Sequence, residues 1–229
     1  MEPRKKRERE QGTLIRWLDR KLVAAYGDRP RPRRPPDPLN ELVLTVLSQN
    51  TNDRNRDRAY YALRGRLPTW EAVAAAPRAM VEELIRVGGL ARQKSERIQA
   101  MLGIIREREG ALSLRRLCRL PLEEAEEYLR SLKGVGEKTT AIVLLFSCGM
   151  PAFPVDTHIL RVGKRLGLIP ARATADQAHQ VLRPAVPEEL MYRFHINLIE
   201  HGRRICHPRK PACPDCCLCN KCPAAFKAG

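Results

Sequence analysis

Leu132-Lys133-Gly134-Val135-Gly136-Glu137-Lys138-Thr139 lies between two helix-forming stretches, and the fold turns on how this segment is read. Its two glycines let the backbone turn tightly and come close to a ligand. The turn feeds a helix N-terminus, whose unpaired N–H groups and positive dipole suit a phosphate. Ala141 to Phe146, which follows, is apolar all round, as expected of a central helix buried by its neighbours. Taken alone, such a turn is better explained by plain helix–helix connection.

Outward from the turn, helical periodicity runs through most of the chain. Leu39, Leu42, Val43, Val46 and Leu47 form one face; Ile98, Met101, Leu102 and Ile105 form another; Met191, Phe194, His195, Leu198 and Ile199 form a third. No alternating strand pattern and no Asn-Gly or Asp-Gly hairpin turn is present, so the fold class is all-α. A first helix is expected at Thr13 to Tyr26, followed by a Pro/Arg-rich connector from Arg29 to Pro38.

The 229 residues carry 42 Lys and Arg against 26 Asp and Glu, a net charge of +16. A field of that size attracts polyanions, nucleic acid first. With 43% hydrophobic residues the chain can build a packed core, and at 5% aromatic that core must be mostly aliphatic. No run approaches the roughly 20 apolar residues that span a bilayer. The basic run Arg4-Lys5-Lys6-Arg7 leads into Glu8 and Glu10 instead of an apolar signal core. A soluble intracellular protein is the expectation, with residues 1–12 a flexible basic arm. In so basic a chain, phosphate binding becomes the favoured reading of the glycine turn.

Six of the 8 cysteines fall between Cys206 and Cys222, in a segment with no hydrophobic periodicity, so something other than an apolar core must order it. Clustered cysteines in an intracellular chain argue for metal. Thiolates are soft ligands, and such a short segment suits an iron–sulfur cluster better than zinc, whose ligand pairs usually stand far apart. Two ligand sets fit the spacing: Cys206, Cys213, Cys216 and Cys222, or Cys213, Cys216, Cys219 and Cys222. Cys118 and Cys148, in apolar surroundings, are expected to be buried thiols.

Lys138 falls in the first turn of the helix after the glycines. The positive helix end and local burial would both disfavour its charged form. A neutral amine is what Schiff-base chemistry requires, although a phosphate-binding lysine fits the same place. Asp156, in Val155-Asp156-Thr157-His158, is placed to cap a helix or to supply a carboxylate to a developing cationic sugar.

The hairpin Leu132 to Lys138, the Val155-Asp156-Thr157-His158 segment and the cysteine set ending at Cys222 together resemble the endonuclease III family of helix–hairpin–helix DNA glycosylases. The resemblance spans roughly Pro38 to Cys222. It implies a six-helix barrel domain at residues 31–150. Residues 1–30 and 151–229 form a second domain holding a [4Fe–4S] cluster, with a DNA cleft between the two. By position, Lys138 matches the catalytic lysine and Asp156 the catalytic aspartate. Gln49 matches the residue that fills the gap left by an extruded nucleotide, and Leu90 a wedge beside it. Gly134, Val135 and Gly136 match the phosphate-binding hairpin, and Arg209 and Lys210 a basic loop on phosphates. The implied cluster ligands are Cys206, Cys213, Cys216 and Cys222, leaving Cys217 and Cys219 as free thiols.

The function implied is base-excision repair by a bifunctional glycosylase. It removes damaged bases, oxidised pyrimidines above all, and nicks the abasic site by β-elimination. Its partner is double-stranded DNA, with no membrane, and it acts as a monomer. The expected location is the cytoplasm, at the nucleoid, or the nucleus in a eukaryotic source. The alternatives are a monofunctional mismatch glycosylase, against which Lys138 counts, and a non-catalytic DNA-binding redox sensor, against which Lys138 and Asp156 together count. Lys133, Asn50-Thr51-Asn52-Asp53 and Ala91-Arg92 depart from the family pattern beside the base pocket and the intercalating loops.

Overall fold

Ile15, Leu18 and Leu22 recur at helical spacing and are all fully buried, on a helix α1 that spans Glu2–Tyr26. The computed structural model describes residues 2–225. Among them all the regular structure is helical, with no strand. The helix expected from Thr13 thus runs back through the residues read as a flexible arm, because nothing before Thr13 breaks it: the backbone is helical from Glu2. Met1 lies outside the described residues.

Internal contacts divide the chain into two units. One is Arg34–Met150. It opens with α2 (Pro38–Leu47), capped by the Asp37 carboxylate, which accepts from the N–H groups of Leu39 and Asn40. Pro38 occupies the first turn, where a missing N–H costs nothing. All five apolar residues of the α2 stripe are at most 1% exposed. There follow α3 (Asp53–Arg66), α4 (Trp70–Ala75), α5 (Arg78–Leu84), α6 (Ala91–Glu109) and α7 (Leu122–Arg130). The last helix is α8 (Glu137–Val143), which continues as a π-turn over Leu144–Cys148. α8 packs on α2 and α7, and α6 packs on α2, α4 and α5. The helix read as central is therefore buried by its neighbours, in agreement with its all-round apolarity.

Cys118 and Cys148 correct one expectation. Both are half-buried, and they are bonded to each other in a disulfide, Cα–Cα 4.7 Å, instead of lying apart as thiols. The short helical turn Arg115–Arg119 packs against the π-turn and brings together residues 30 apart in sequence.

The other unit is formed from described residues on either side of the first. It contains α1, α9 (Thr157–Arg165), α10 (Ala175–Ala185) and α11 (Met191–Arg204). α11 packs on α9 and α1. Asp19, 2% exposed, pairs with Arg193 at 2.7 Å and joins α1 to α11 by charge as well as by packing. Of the third predicted stripe, Met191, Phe194, His195 and Leu198 are buried, while Ile199 is only partly covered. No described helix is long and apolar enough to cross a membrane.

Candidate functional site

The hairpin of the first unit is built on a left-handed glycine. Gly134 has φ +86°, a conformation that favours glycine, and a Cβ there would lie 2.9 Å from the Arg97 side chain, which would have to shift. Gly136 is different. Its φ of −100° is open to any residue, it caps α8, and a Cβ on it would meet nothing within 4 Å. Val135 is buried, so only its backbone can face a ligand. Lys138 stands exposed in the first turn of α8, against the expected local burial.

Two further elements of this unit hold residues matched to the family pattern. Leu90, which precedes α6, is 50% exposed and holds φ +50°. A left-handed leucine costs roughly 1–2 kcal/mol, and an exposed apolar side chain in that state fits a wedge. Gln49 sits in the turn after α2. Its Oε1 accepts from Arg97 Nη1 at 3.0 Å, and its Nε2 donates to Gly134 O at 3.4 Å. Sequence reasoning missed Lys94, although it is 1% exposed. Its ammonium donates to Leu47 O and Gly88 O, both at 2.8 Å, and burial lowers its pKa. Its place on the Ile98–Ile105 face of α6, where an apolar residue would fit, was the available signal.

In the second unit Asp156 is the N-cap of α9, its Oδ1 accepting from Ile159 N at 2.7 Å. The cap uses that oxygen, and a second remains for chemistry.

From the other end of α9 two arginines tie down the cysteine segment. Arg161 donates to Cys206 O and Gly202 O. Arg165 donates to His207 O at 2.7 Å, to Pro208 O at 3.0 Å and to Cys206 Sγ at 3.1 Å. The loop they hold carries Arg209 and Lys210 exposed at its tip, Lys210 with φ +50°. All six cysteines here are unpaired and half-buried.

Among the described residues no three His, Cys, Asp or Glu side chains converge as a preformed metal site. The donor chemistry nevertheless fits an iron–sulfur cluster. Leu218 N–H points at Cys216 Sγ, as the Arg165 guanidinium does at Cys206 Sγ, and such donors suit thiolates. Burial, with Cys217, Cys222 and Cys206 close by, pushes the Cys216 thiol up to about 11. Burial also pushes His201 down to about 4, which keeps it neutral beside Cys216.

Residues 43–188 match the family described as the HhH-GPD superfamily of base excision DNA repair proteins. Endonuclease III of Thermotoga maritima is 37% identical over 209 residues, covering 91% of this chain and 92% of that protein. The chain belongs to the endonuclease III family. Its enzyme class follows: a DNA glycosylase with abasic-site lyase activity, working in base-excision repair. The fold agrees, since the structure of a non-covalent endonuclease III–DNA complex superposes with a TM-score of 0.80 at 27% identity, covering 94% of this chain and 97% of that one. A thymine-DNA glycosylase from Aeropyrum pernix is 31% identical over 218 residues, covering 91% of this chain and 94% of that protein.

Proposed function

We propose that this member of the endonuclease III family acts as a monomer on double-stranded DNA, excises oxidised pyrimidines and nicks the abasic product, with Lys138 as nucleophile and Asp156 as the assisting carboxylate. The observation that carries the reading is an exposed lysine in the first turn of α8, directly after a backbone hairpin whose Gly136 leaves room for a ligand. N–H groups of the hairpin and of the α8 N-terminus hold a phosphate. The target nucleotide must leave the stack, because its C1′ is out of reach inside the duplex. Gln49 and Leu90 occupy the space it vacates, and Arg209 and Lys210 bind phosphates at the other unit.

Lys138 Nζ bonds to C1′ as the bond from C1′ to the base breaks, and the base departs with a proton. The C1′–O4′ bond then breaks, O4′ gaining the last proton that Nζ gives up, and C1′ and Nζ are left joined as a Schiff base. Loss of a C2′ proton then expels the 3′ phosphate. Asp156 stabilises the positive charge that develops on the sugar and helps to take the proton from Lys138. The [4Fe–4S] cluster is assigned to Cys206, Cys213, Cys216 and Cys222, where it supplies four bonds to thiolates that order a segment without a core. Ferredoxin-like runs take a fourth ligand from outside the tight repeat, which supports Cys206 over Cys219.

Borohydride should trap a covalent complex between the wild-type protein and DNA, and Lys138→Gln should abolish trapping while retaining DNA binding. Wild-type trapping by that variant would reject Lys138 as the nucleophile. Asp156→Asn keeps a capping oxygen and should keep the fold by circular dichroism, yet lose about 10²- to 10⁴-fold in base excision. Unchanged excision would reduce Asp156 to a cap. The Aeropyrum relative favours a second reading of the substrate, thymine in place of an oxidised pyrimidine. Excision assays on duplexes carrying a mispaired thymine or an oxidised pyrimidine separate the two.

A further inference from the structure

Lys94 and Arg97 stand one turn apart on α6, and between them they touch every element of this unit assigned above to DNA. Lys94 donates to Leu47 O, two residues before Gln49, and to Gly88 O, two residues before Leu90. Arg97 Nη1 donates to the Gln49 amide oxygen, and the Arg97 stem fills the space beneath Gly134 that a side chain there would take. Gln49 in turn donates to Gly134 O. The wedge, the gap-filling residue and the hairpin are thus referred to one helix.

We propose that Arg97, seconded by Lys94, is a positioning residue that sets the Gln49 side chain in one orientation and in register with Leu90 and the hairpin before DNA arrives. The proposal rests on the reading of Gln49 as the residue that fills the vacated base position. Its physical core is amide polarity. A guanidinium only donates, so it accepts the carbonyl end of the Gln49 amide and rejects the NH₂ end. Gly134 O only accepts, so it takes the NH₂ end. A flipped amide would set donor against donor and oxygen against oxygen. The two neighbours therefore fix which end of Gln49 points where, and the unused N–H and lone pair keep fixed directions for the base left without a partner. A side chain ordered in advance fills a gap without the entropy cost of choosing a rotamer at that moment. Lys94 sets the frame. With its ammonium sealed from water and shared between two carbonyls, the chain segments leading to Gln49 and to Leu90 cannot drift apart without stranding a buried charge.

Arg97 is only half-buried, so Arg97→Met keeps the stem under Gly134 and removes the donor without opening the core. The test compares full-length wild type, Gln49→Ala, Arg97→Met and the double variant on two substrates. One is a duplex carrying a single thymine glycol opposite 2-aminopurine. The other is a single-stranded abasic oligonucleotide, which has no stack and hence no gap to fill. Each single variant should lower the ratio of duplex excision to single-strand nicking about ten- to hundredfold, the scale of one charge-assisted hydrogen bond. The double variant should be no worse than the poorer single one, since both remove the same device. The 2-aminopurine fluorescence on binding should change in the same way for both.

An effect of Gln49→Ala with none of Arg97→Met would overturn the positioning role and leave the gap-filling role standing. No effect of Gln49→Ala would overturn the gap-filling role and, with it, the proposal. Additive losses, or an equal fall on the single strand in Arg97→Met, would also overturn it, because they indicate separate actions or general damage.

Discussion

Around the hairpin, Leu129, Leu132, Val135, Val143 and Leu144 are each at most 6% exposed, whereas among the described residues from Cys206 to Ala225 only Leu218 is buried. The cysteines divide the same way. Cys118 and Cys148 in the hairpin unit bond to each other, and the six at the end of the chain bond to none of their own kind. One region is ordered by aliphatic burial and secured by a cross-link. The other hangs on side-chain donors: Arg161 and Arg165 on its backbone, and Lys221 over the Trp17 ring at 4.8 Å. Hydrophobic burial is non-directional and needs many contacts. A segment of about twenty residues cannot supply them, so directional bonds, and in our reading a cluster, take their place.

The contrast breaks most visibly at Cys206. Cys206→Ala should lose both the brown iron–sulfur absorbance and much of the folded protein, while Cys219→Ala should keep both. Iron content and visible spectra of protein purified without air check this. The opposite pattern would transfer the fourth ligand to Cys219, and stoichiometric zinc without iron would remove the cluster.

A smaller effect is expected on the other side. Cutting the disulfide with Cys148→Ser should cost about 2–4 kcal/mol of stability in urea, because the cross-link closes a loop of 30 residues in the unfolded chain. The cluster absorbance should be untouched. If the visible spectrum bleached together with the loss of stability, the two regions would not be ordered independently.

The smallest effect is alkaline. Tyr128, on α7, has its phenol pushed up from 10.0 to about 12 by burial and by the Glu109 carboxylate. Raised in the folded state, it contributes stability that is complete below pH 10 and is lost as pH climbs towards 12. Tyr128→Phe should flatten that loss without changing stability at pH 8. Tyr26 in the other unit, raised to about 12 by burial and the nearby thiols, should leave a residual slope. A slope identical in wild type and Tyr128→Phe would assign the whole effect to other groups.

Much of this was legible beforehand for physical reasons that can be named. A stripe such as Leu39 to Leu47 must be buried wherever its helix packs, so periodicity alone gives the helix, its face and the all-α class. Asp156 precedes Thr157-His158-Ile159 and follows Pro154, which sets it at a helix start, where its carboxylate does cap. The hairpin, Lys138 and Asp156 were legible in combination as a family motif, while each alone admitted a purely structural use. The backbone before Thr13 is helical from Glu2, which charge pattern did not foretell, since it speaks to solvation and says little about whether a helix continues.

By itself, then, the sequence determined what depends on neighbours along the chain: helices and their buried faces, the caps, the tight turn at Gly134 and the family that these motifs identify. Tertiary structure alone decided what depends on residues far apart meeting. Cys118 reaches Cys148 across 30 residues, Arg97 reaches Gln49 across 48, and Arg165 reaches Cys206 across 41. It also left Lys138 in the open. Local pattern encodes which side of a helix turns inward, but a hydrogen bond or a disulfide needs two atoms within a few ångströms, and only the packed helices set that distance.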